Sequence, residues 1–457
     1  MDKIKRIPAF KEELCDRCGI CLNKCPVLQL PLDEAKSEIQ KLIEGDLDSR
    51  VLKDCTTCFS CNLYCPQKAN PYQLILERWN DLYKIRGFAP IFKFVCPTES
   101  PNLWQLLNIF LSNKEKKRIY KWMKTKPESN DNLLFVDSFI HLYSFIIDES
   151  SLFEDFNLID PVDYWCAGGY LYQLGILDVV GKIAKVMKND IDTWSVKKIV
   201  TTLDAIHHMF NIVHPKEMGI VHDQEFSDLN EYFLEKINSG EITLPQAPLN
   251  ITLTVHDNCF SKSNNANNGS YWETPRKILK KCGCKIIEMK HHKKDSLCCG
   301  WGAGASWTSN FSLMPDILVH GIRKFREAEE TGADAIVTYC EGCNFVLWTL
   351  KELLGSKIDV YHIIEIIRLA MGEKLDHPTQ NRKRALDINA ILIYQVVVSI
   401  FQNNFYINRI TYNREKNSFK PTTINTIALR AIRLLFRFRI VRNLLSKVIR
   451  SFASFKK

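Results

Sequence analysis

Residues 388–401 are apolar, but the run is short and carries Asn389 and Gln395 inside it. A helix that spans a bilayer needs about 20 apolar residues, so no span is expected there. The start, Met1-Asp2-Lys3-Ile4-Lys5-Arg6, is polar with no apolar core behind it, so no secretory signal is expected. The 17 cysteines then read as thiols of a reducing cytosol and not as a disulfide framework. No Gly-x-Gly-x-x-Gly run is present, which argues against a flavin or nicotinamide of the chain's own. Acidic residues are scarce at one end: residues 409–457 hold 13 lysines and arginines against Glu415 alone, a net +12. The remaining 48 basic and 51 acidic residues leave residues 1–408 at −3, so the formal charge of +9 belongs to a tail. No nucleic-acid motif accompanies that tail, and no nucleic-acid partner is expected.

What is present is a globular composition, 46% hydrophobic and 25% charged over 457 residues. A chain this long exceeds one ordinary core and implies two to four domains.

Eight cysteines form two copies of one spacing: Cys15-x2-Cys18-x2-Cys21-x3-Cys25-Pro26 and Cys55-x2-Cys58-x2-Cys61-x3-Cys65-Pro66. A cubane [4Fe–4S] cluster needs four thiolates aimed at one small volume. Three come from a tight turn of such a run, and the fourth belongs to the other cluster. Two cubanes are expected, one on Cys15, Cys18, Cys21 and Cys65, the other on Cys55, Cys58, Cys61 and Cys25. Zinc sites more often show cysteine pairs.

Residues 33–49 read as a helix with Asp33 as N-cap and Ile39, Leu42 and Ile43 on one face. Asn70-Pro71 opens another that Gly87 ends. Residues 1–95 are therefore expected to be an all-α two-cluster ferredoxin module. From about residue 133, strand-like runs (133–136, 198–202) alternate with helical ones (179–187, 228–237). The order returns after residue 250 with strands at 251–255, 285–289 and 335–339 and a helix at 275–281. Such alternation implies parallel α/β layers. Cys166-Ala-Gly-Gly answers Cys298-Cys-Gly-Trp, Ile199-Val-Thr-Thr answers Ile336-Val-Thr, and His222 answers His362, so two related lobes are expected at 133–248 and 250–372. Linkers are expected near 112–132, 239–250 and 373–384.

The second lobe holds Cys259, Cys298-Cys299-Gly300 and Cys340-x2-Cys343. Loops that follow parallel strands gather at one sheet edge, so these thiols can converge. Gly300, Gly302 and Gly304 would let the backbone approach a bulky inorganic core. With His256-Asp257-Asn258-Cys259, Pro275-Arg276 and Cys340-Glu341-Gly342-Cys343, this lobe resembles a CCG (cysteine-rich) domain. Such domains occur in the B and D subunits of heterodisulfide reductases and in the iron–sulfur subunits of glycolate, lactate and anaerobic glycerol-3-phosphate dehydrogenases. The order ferredoxin module, lobe, lobe is similar to the D-type subunit over about residues 10–372. The resemblance implies a noncubane [4Fe–4S] cluster on Cys259, Cys298, Cys299, Cys340 and Cys343, which would be the catalytic centre. Zinc or a smaller cluster in the same nest is the alternative.

The first lobe departs from the pattern. Cys166-Ala-Gly stands for Cys-Cys-Gly, residues 203–206 lack the Cys-x2-Cys, and Asp137-Ser138 stands at the opening cysteine, so this lobe is expected to hold no cluster. Asn258 also replaces a usual proline. His256 is either a group that polarises substrate or a structural loop histidine. Cys282 and Cys284 read as buried thiols at a strand edge. His207-His208 and His291-His292 read as surface or packing residues.

Residues 385–457 are expected to form a basic amphipathic helical tail. Ile427, Ala431, Leu434, Leu435, Phe438, Leu445 and Ile449 share one face, which suits an anionic membrane surface or a partner subunit. The function expected is an electron-transferring oxidoreductase subunit whose partner is a flavoprotein, a cytochrome b or another iron–sulfur protein. It would be cytoplasmic, with peripheral contact at the inner face of the membrane. The alternatives are a non-catalytic conduit for a separate flavin dehydrogenase, and a metal-stabilised assembly module.

Overall fold

The computed structural model describes residues 5–122, 127, 132–148, 150–159, 165–244, 248–268, 271–302, 313–410, 422–438, 440–444 and 447; of residues 265–268 and 313–317 only the backbone is described. Gly304 and the tail residues Leu445 and Ile449 lie outside this set.

Residues up to Cys96 are helical. Helix α1 (Leu32–Glu44) and helix α2 (Pro71–Arg86) flank short turns at Ile20–Asn23, Arg50–Asp54 and Ser60–Tyr64. Helix α1 starts after Pro31, one residue earlier than the capping pattern suggests, and ends at Gly45. Helix α2 opens on Pro71 and closes on Gly87 as read. Ile39 and Leu42 are fully buried, which is what holds α1 against α2.

Two four-stranded parallel sheets follow. The first comprises β1 (Leu133–Phe135), β2 (Asn157–Ile159), β3 (Lys198–Thr201) and β4 (Glu225–Asp228) in the order β2-β1-β3-β4. The second comprises β5 (Thr252–His256), β6 (Lys285–Ile286), β7 (Ala335–Thr338) and β8 (Asp359–His362) in the order β6-β5-β7-β8. The two orders are the same order, so the internal repeat is a repeat of topology. In each sheet the chain reverses its winding between the first and third strands. A parallel sheet binds ligands beyond the carboxyl ends of its strands at that switch.

Register makes the repeat quantitative. Phe135 pairs with Thr201 and His256 with Thr338, so Ser138 occupies the place of Cys259, and Leu203 and Ile206 the places of Cys340 and Cys343. One correspondence changes. Thr201 pairs with Asp228 as Thr338 pairs with His362, so Asp228, and not His222, answers His362. Each caps the next helix: Asp228 caps α4 (Leu229–Ser239), and His362 caps α8 (Ile363–Ala370), which comes after α5 (Cys259–Asn268), α6 (Glu273–Lys281) and α7 (Glu341–Leu354). Strand β6 covers two residues where five were expected.

Two expected linkers carry structure. A helix, Asn113–Trp122, occupies the first. Helix α9 (Thr379–Ser399) starts inside the third and continues through the apolar segment 388–401. Ile388, Ala390, Ile391 and Leu392 on it are buried, and it packs against α7 and the segments Leu103–Leu107 and Pro90–Val95. Its apolar residues are core. Among the described residues no helix is long and apolar enough to cross a membrane.

His377 fastens the start of α9 to the second sheet. Its Nδ1 lies 3.1 Å from Glu365 Oε1, its Nε2 lies 3.3 Å from Asp359 Oδ2, and its ring stacks on Tyr361 at 3.8 Å. Burial disfavours the charged ring, but the two carboxylates outweigh it and raise the pKa to about 9. A raised histidine stabilises the fold fully below its unfolded value of about 6.5 and loses that contribution as pH rises through about 9. Urea unfolding from pH 6 to 10 is expected to show a loss of about 3 kcal/mol from this residue, absent in His377→Gln.

Candidate iron–sulfur site

The two ferredoxin-like runs fold as copies of one loop. Arg17 and Thr57 both take left-handed backbone, as do Gly19 and Phe59, two residues on in each run. At Gly19 a Cβ would lie 2.7 Å from the Lys36 backbone nitrogen, so glycine lets the first loop press on α1. The loops bend backbone amides towards sulfur: Thr57 N–H donates to Cys55, Leu28 N–H to Cys25 and Ala69 N–H to Cys65, each at 3.4 Å. Donors of this kind stabilise thiolate and tune a bound metal. Cys65 is a charge neighbour of Cys15, Cys18 and Cys21, whereas Cys25 is one of Cys58, Cys55 and Cys61.

The five cysteines of the second lobe all line one cavity of 60 Å³. Cys259 follows β5 and Cys340 follows β7, the two strands at the winding switch. Cys298 and Cys299 come from the loop after β6, and Cys343 from the first turn of α7. The Cys299 and Cys343 sulfurs and a ring nitrogen of His256 lie within 4.8 Å of one another. Neither ring nitrogen of His256 finds a hydrogen-bond partner among the described residues, and burial lowers its pKa. A buried, neutral, unpartnered imidazole beside thiols suits a metal or cluster at this position. Burial holds Cys259 above the ordinary thiol range, and hydrogen bonding to Cys299 followed by burial does the same to Cys298. The nest therefore favours thiolate only with a cation among the sulfurs.

Asp257 holds the three loops in place. Arg276 Nη1 and Nη2 donate to its two oxygens at 2.8 and 2.9 Å, and Arg276 also reaches Glu288 at 2.6 Å. Lys293 N–H donates to Asp257 Oδ2 at 2.7 Å, Tyr339 OH to Oδ1 at 3.2 Å, and Ser296 Oγ to the Asp257 carbonyl at 2.6 Å. The loops bearing Cys259, Cys298–Cys299 and Cys340 thus converge on one carboxylate. Burial would raise the Asp257 pKa, but Arg276 outweighs it and the net shift is downward.

The first lobe supplies the opposite wall of the cavity, with Phe139, Cys166, Tyr170, Gln173, Leu203 and Ala205. Cys166 Sγ donates to Asp137 Oδ1 at 2.8 Å and lies 2.5 Å from Ser138 Oγ. The backbone from Trp165 to Gly168 is left-handed at four successive residues, a strained turn that brings Cys166 to the wall. The lobes meet with approximate two-fold symmetry. Asn258 Nδ2 donates to Asp204 Oδ2 at 3.0 Å, and the equivalent residues Asp137 and Glu341 face each other. Burial and then the Glu341 charge raise Asp137 well above the carboxylate range, and burial raises Glu341 to about 7. Asn258, in the place of a proline, also accepts from Ser261 N–H at 2.9 Å and starts α5.

The ferredoxin-like segment packs directly on this cavity. Gln173 Nε2 donates both to Thr57 O at 3.2 Å and to Cys259 Sγ at 3.0 Å. A Cβ on Gly302 would lie 2.2 Å from Thr57 Oγ1 and 2.7 Å from Thr56 O. Sequence reasoning missed Gln173, Trp301, Phe139 and Tyr170, because no local spacing marks a residue that reaches a site from another lobe. The remaining thiols stay out of the cavity: Cys96, Cys282 and Cys284 are buried elsewhere. His207 and His208 are buried packing residues, not surface ones. His208 Nδ1 lies 3.0 Å from Asn264 Oδ1, and His292 Nδ1 lies 2.8 Å from Met289 O.

Residues 12–69 match the 4Fe-4S dicluster domain, and residues 253–348 match the cysteine-rich CCG domain. The chain is an iron–sulfur protein of the heterodisulfide-reductase-like oxidoreductases. It is 23% identical over 400 residues to the D subunit of the dihydromethanophenazine:CoB–CoM heterodisulfide reductase of Methanosarcina barkeri, covering 79% of this chain and 94% of that one. It is 22% identical to the EtfAB:quinone oxidoreductase of Syntrophomonas wolfei, covering 68% of this chain and 45% of that one. It is also 22% identical to the B subunit of the fumarate reductase (CoM/CoB) of Methanothermobacter marburgensis, covering 79% and 72%. A hypothetical protein of known structure from Helicobacter pylori aligns over 82% of this chain and 74% of its own, at 12% identity and a TM-score of 0.39.

Arg276→Met would strand Asp257 without a counter-charge. Breaking a buried pair from one side costs about 3–5 kcal/mol. The variant is expected to lose that stability in chemical denaturation and to lose metal from the five-thiol cavity, while iron held by residues 12–69 stays at its wild-type content.

Proposed function

We propose that this chain is the electron-relaying subunit of a reductase and carries three iron–sulfur centres. Cys15, Cys18, Cys21 and Cys65 would hold one cubane, and Cys55, Cys58, Cys61 and Cys25 the second. Cys259, Cys298, Cys299, Cys340 and Cys343 would hold a third, noncubane centre where two-electron chemistry takes place. The domains would be 1–95, 133–248, 250–372 and 385–457. The observation that carries the reading is the packing of Thr56-Thr57, inside the second cysteine run, against Gly302 and Gln173 at the cavity wall. Electrons on the second cubane would then be one loop away from the third centre.

Each protein group has a part in this scheme. Amides at the loop turns bind and stabilise thiolate. Asp257 and Arg276 hold the geometry of the third site. Phe139, Tyr170, Leu203 and Trp301 exclude water from it. A bound cluster supplies the one-electron steps. The first lobe would close the site and hold no cluster, since Ser138, Leu203 and Ile206 stand where thiols would be needed. The names of the relatives favour a disulfide or a flavoprotein-linked quinone system at the two ends of the relay. The conduit reading, with the reaction on a separate flavin dehydrogenase, places the same centres in series and removes only the reaction at the cavity. The partner would be a flavoprotein, a cytochrome b or another iron–sulfur protein.

Anaerobically purified protein is expected to contain about eight iron and eight sulfide from the two cubanes, plus the third centre. Cys298→Ser is expected to remove a paramagnetic signal distinct from the cubanes and stop turnover with an artificial donor, whereas Cys166→Ser removes no centre. Total iron near four, or zinc without extra sulfide in the cavity, contradicts the assignment.

The tail would be the docking element. Helix α10 (Thr423–Arg437) anchors on the body through Leu429, fully buried, and through Arg433, whose Nε lies 2.6 Å from Asp387 Oδ1. Arg433 thus turns inward instead of joining the outer basic face. Ile424, Ile427, Leu434, Leu435 and Phe438 remain exposed, so the apolar stripe is left for something outside the body. Each Lys or Arg near an anionic membrane contributes about 1 kcal/mol, screened by salt. Removing residues 409–457 is expected to abolish sedimentation with anionic vesicles at low salt and leave the iron content unchanged. Vesicle binding that survives the deletion contradicts the role.

A further inference from the structure

Lys262 lies on α5, in the lobe of the five-thiol cavity, yet its side chain ends beside the second cysteine run. It is 1% exposed. Its ammonium donates to Ser60 Oγ at 2.6 Å and to the Ser296 carbonyl at 2.6 Å. Ser60 Oγ is 3.3 Å from Cys58 Sγ, and Ser296 is two residues before Cys298. A hydrogen-bonded chain therefore runs from a thiol of the ferredoxin-like segment, through Ser60 and Lys262, to the loop that bears Cys298 and Cys299.

Burying an ammonium is costly unless an anion compensates it. No carboxylate among the described residues pairs with Lys262; its contacts are a hydroxyl and a carbonyl. The anion that fits is the thiolate-bound cluster on Cys58 and Cys25. Burial raises the Cys58 pKa, but the charge of Lys262 and the Ser60 hydrogen bonds outweigh it and leave that thiol below its ordinary range. Cys25 also feels the Lys262 charge. By contrast Cys15, Cys18 and Cys21 have no such neighbour among their causes of shift.

We infer that Lys262 is a positioning residue of the relay. It makes the cubane of Cys55, Cys58, Cys61 and Cys25 easier to reduce than its twin, so that an electron settles on the cubane nearest the five-thiol cavity. The inference rests on the two-cubane reading above. One-electron reduction adds a negative charge to a cluster and breaks no bond, and a fixed positive charge in a dry site stabilises the reduced form. The electron comes from the first cubane and leaves for the cavity centre.

The test is an EPR-monitored redox titration of the full chain, purified anaerobically, as wild type, Lys262→Met, Lys262→Arg and Ser60→Ala. In Lys262→Met the reduced-to-oxidised ratio of one cubane at the wild-type midpoint is expected to fall at least tenfold, a shift of about 59 mV for one electron, while the other cubane keeps its midpoint. Lys262→Arg keeps the charge and is expected to keep both midpoints. Ser60→Ala unseats the ammonium and is expected to lower the same midpoint by less. Should the methionine variant lose iron, the serine variant decides alone. Unchanged midpoints with both cubanes present overturn this inference and leave the relay standing, as does an arginine variant that falls as far as the methionine one. Wild-type protein with iron for a single cubane overturns the relay itself and this inference with it.

Discussion

The buried pair of Asp257 and Arg276 is the constraint on which the site depends. Five thiols can act together only if three loops, separated by some forty residues each in the chain, stop within a few ångströms of one another. The Asp257 carboxylate and backbone carbonyl accept from Arg276, Lys293, Tyr339 and Ser296, and those donors belong to α6 and to the loops that carry the cysteines. A carboxylate out of water tolerates this position because it is fully hydrogen-bonded and charge-compensated. In return it sets the separation of the sulfurs before any metal arrives. The sheet contributes the rest: β5 and β7 are the strands at the reversal of winding, so their carboxyl ends are where a parallel sheet leaves room for a ligand.

The repeat shows what happens when one copy of such a site is given up. Register puts Ser138, Leu203 and Ile206 at the positions of Cys259, Cys340 and Cys343. The polar network around those positions remains. Asp204 still receives Asn258, and Asp137 still meets Glu341 across the approximate two-fold. Cys166 keeps a thiol in a strained left-handed turn but spends its hydrogen bonds on Asp137 and Ser138. The first lobe has become the lid of the second lobe's cavity, joined to it by the same contacts that related two equal partners would use.

Much of this was legible in the residues. The cysteine spacings marked both thiol groups, and Pro71 and Gly87 marked the ends of α2, because local chemistry decides a cap or a turn. The parallel layers followed from alternating strand and helix patterns. The short strands β2, β4 and β8 were not legible: three or four residues give no periodicity to read. His222 was matched to His362 on residue type, whereas pairing with β3 puts Asp228 there. The apolar run at 388–401 was rightly not read as a span, but only tertiary contacts show it to be core. Gln173 and Lys262 were invisible for a different reason. Each reaches a cysteine from an element far away in sequence, and nothing in the surrounding residues records that the two will meet.

The central claim is that the second cubane and the five-thiol centre are neighbours that exchange electrons. Low-temperature EPR of the fully reduced chain tests it most directly. If both centres are present and adjacent across the Thr56-Thr57 loop, the signal of the cavity centre is expected to relax faster when the second cubane is reduced than when it is oxidised, with splitting that marks spin coupling. A cavity signal whose relaxation does not depend on the state of that cubane, or a cavity with no paramagnetic state at all, contradicts the account.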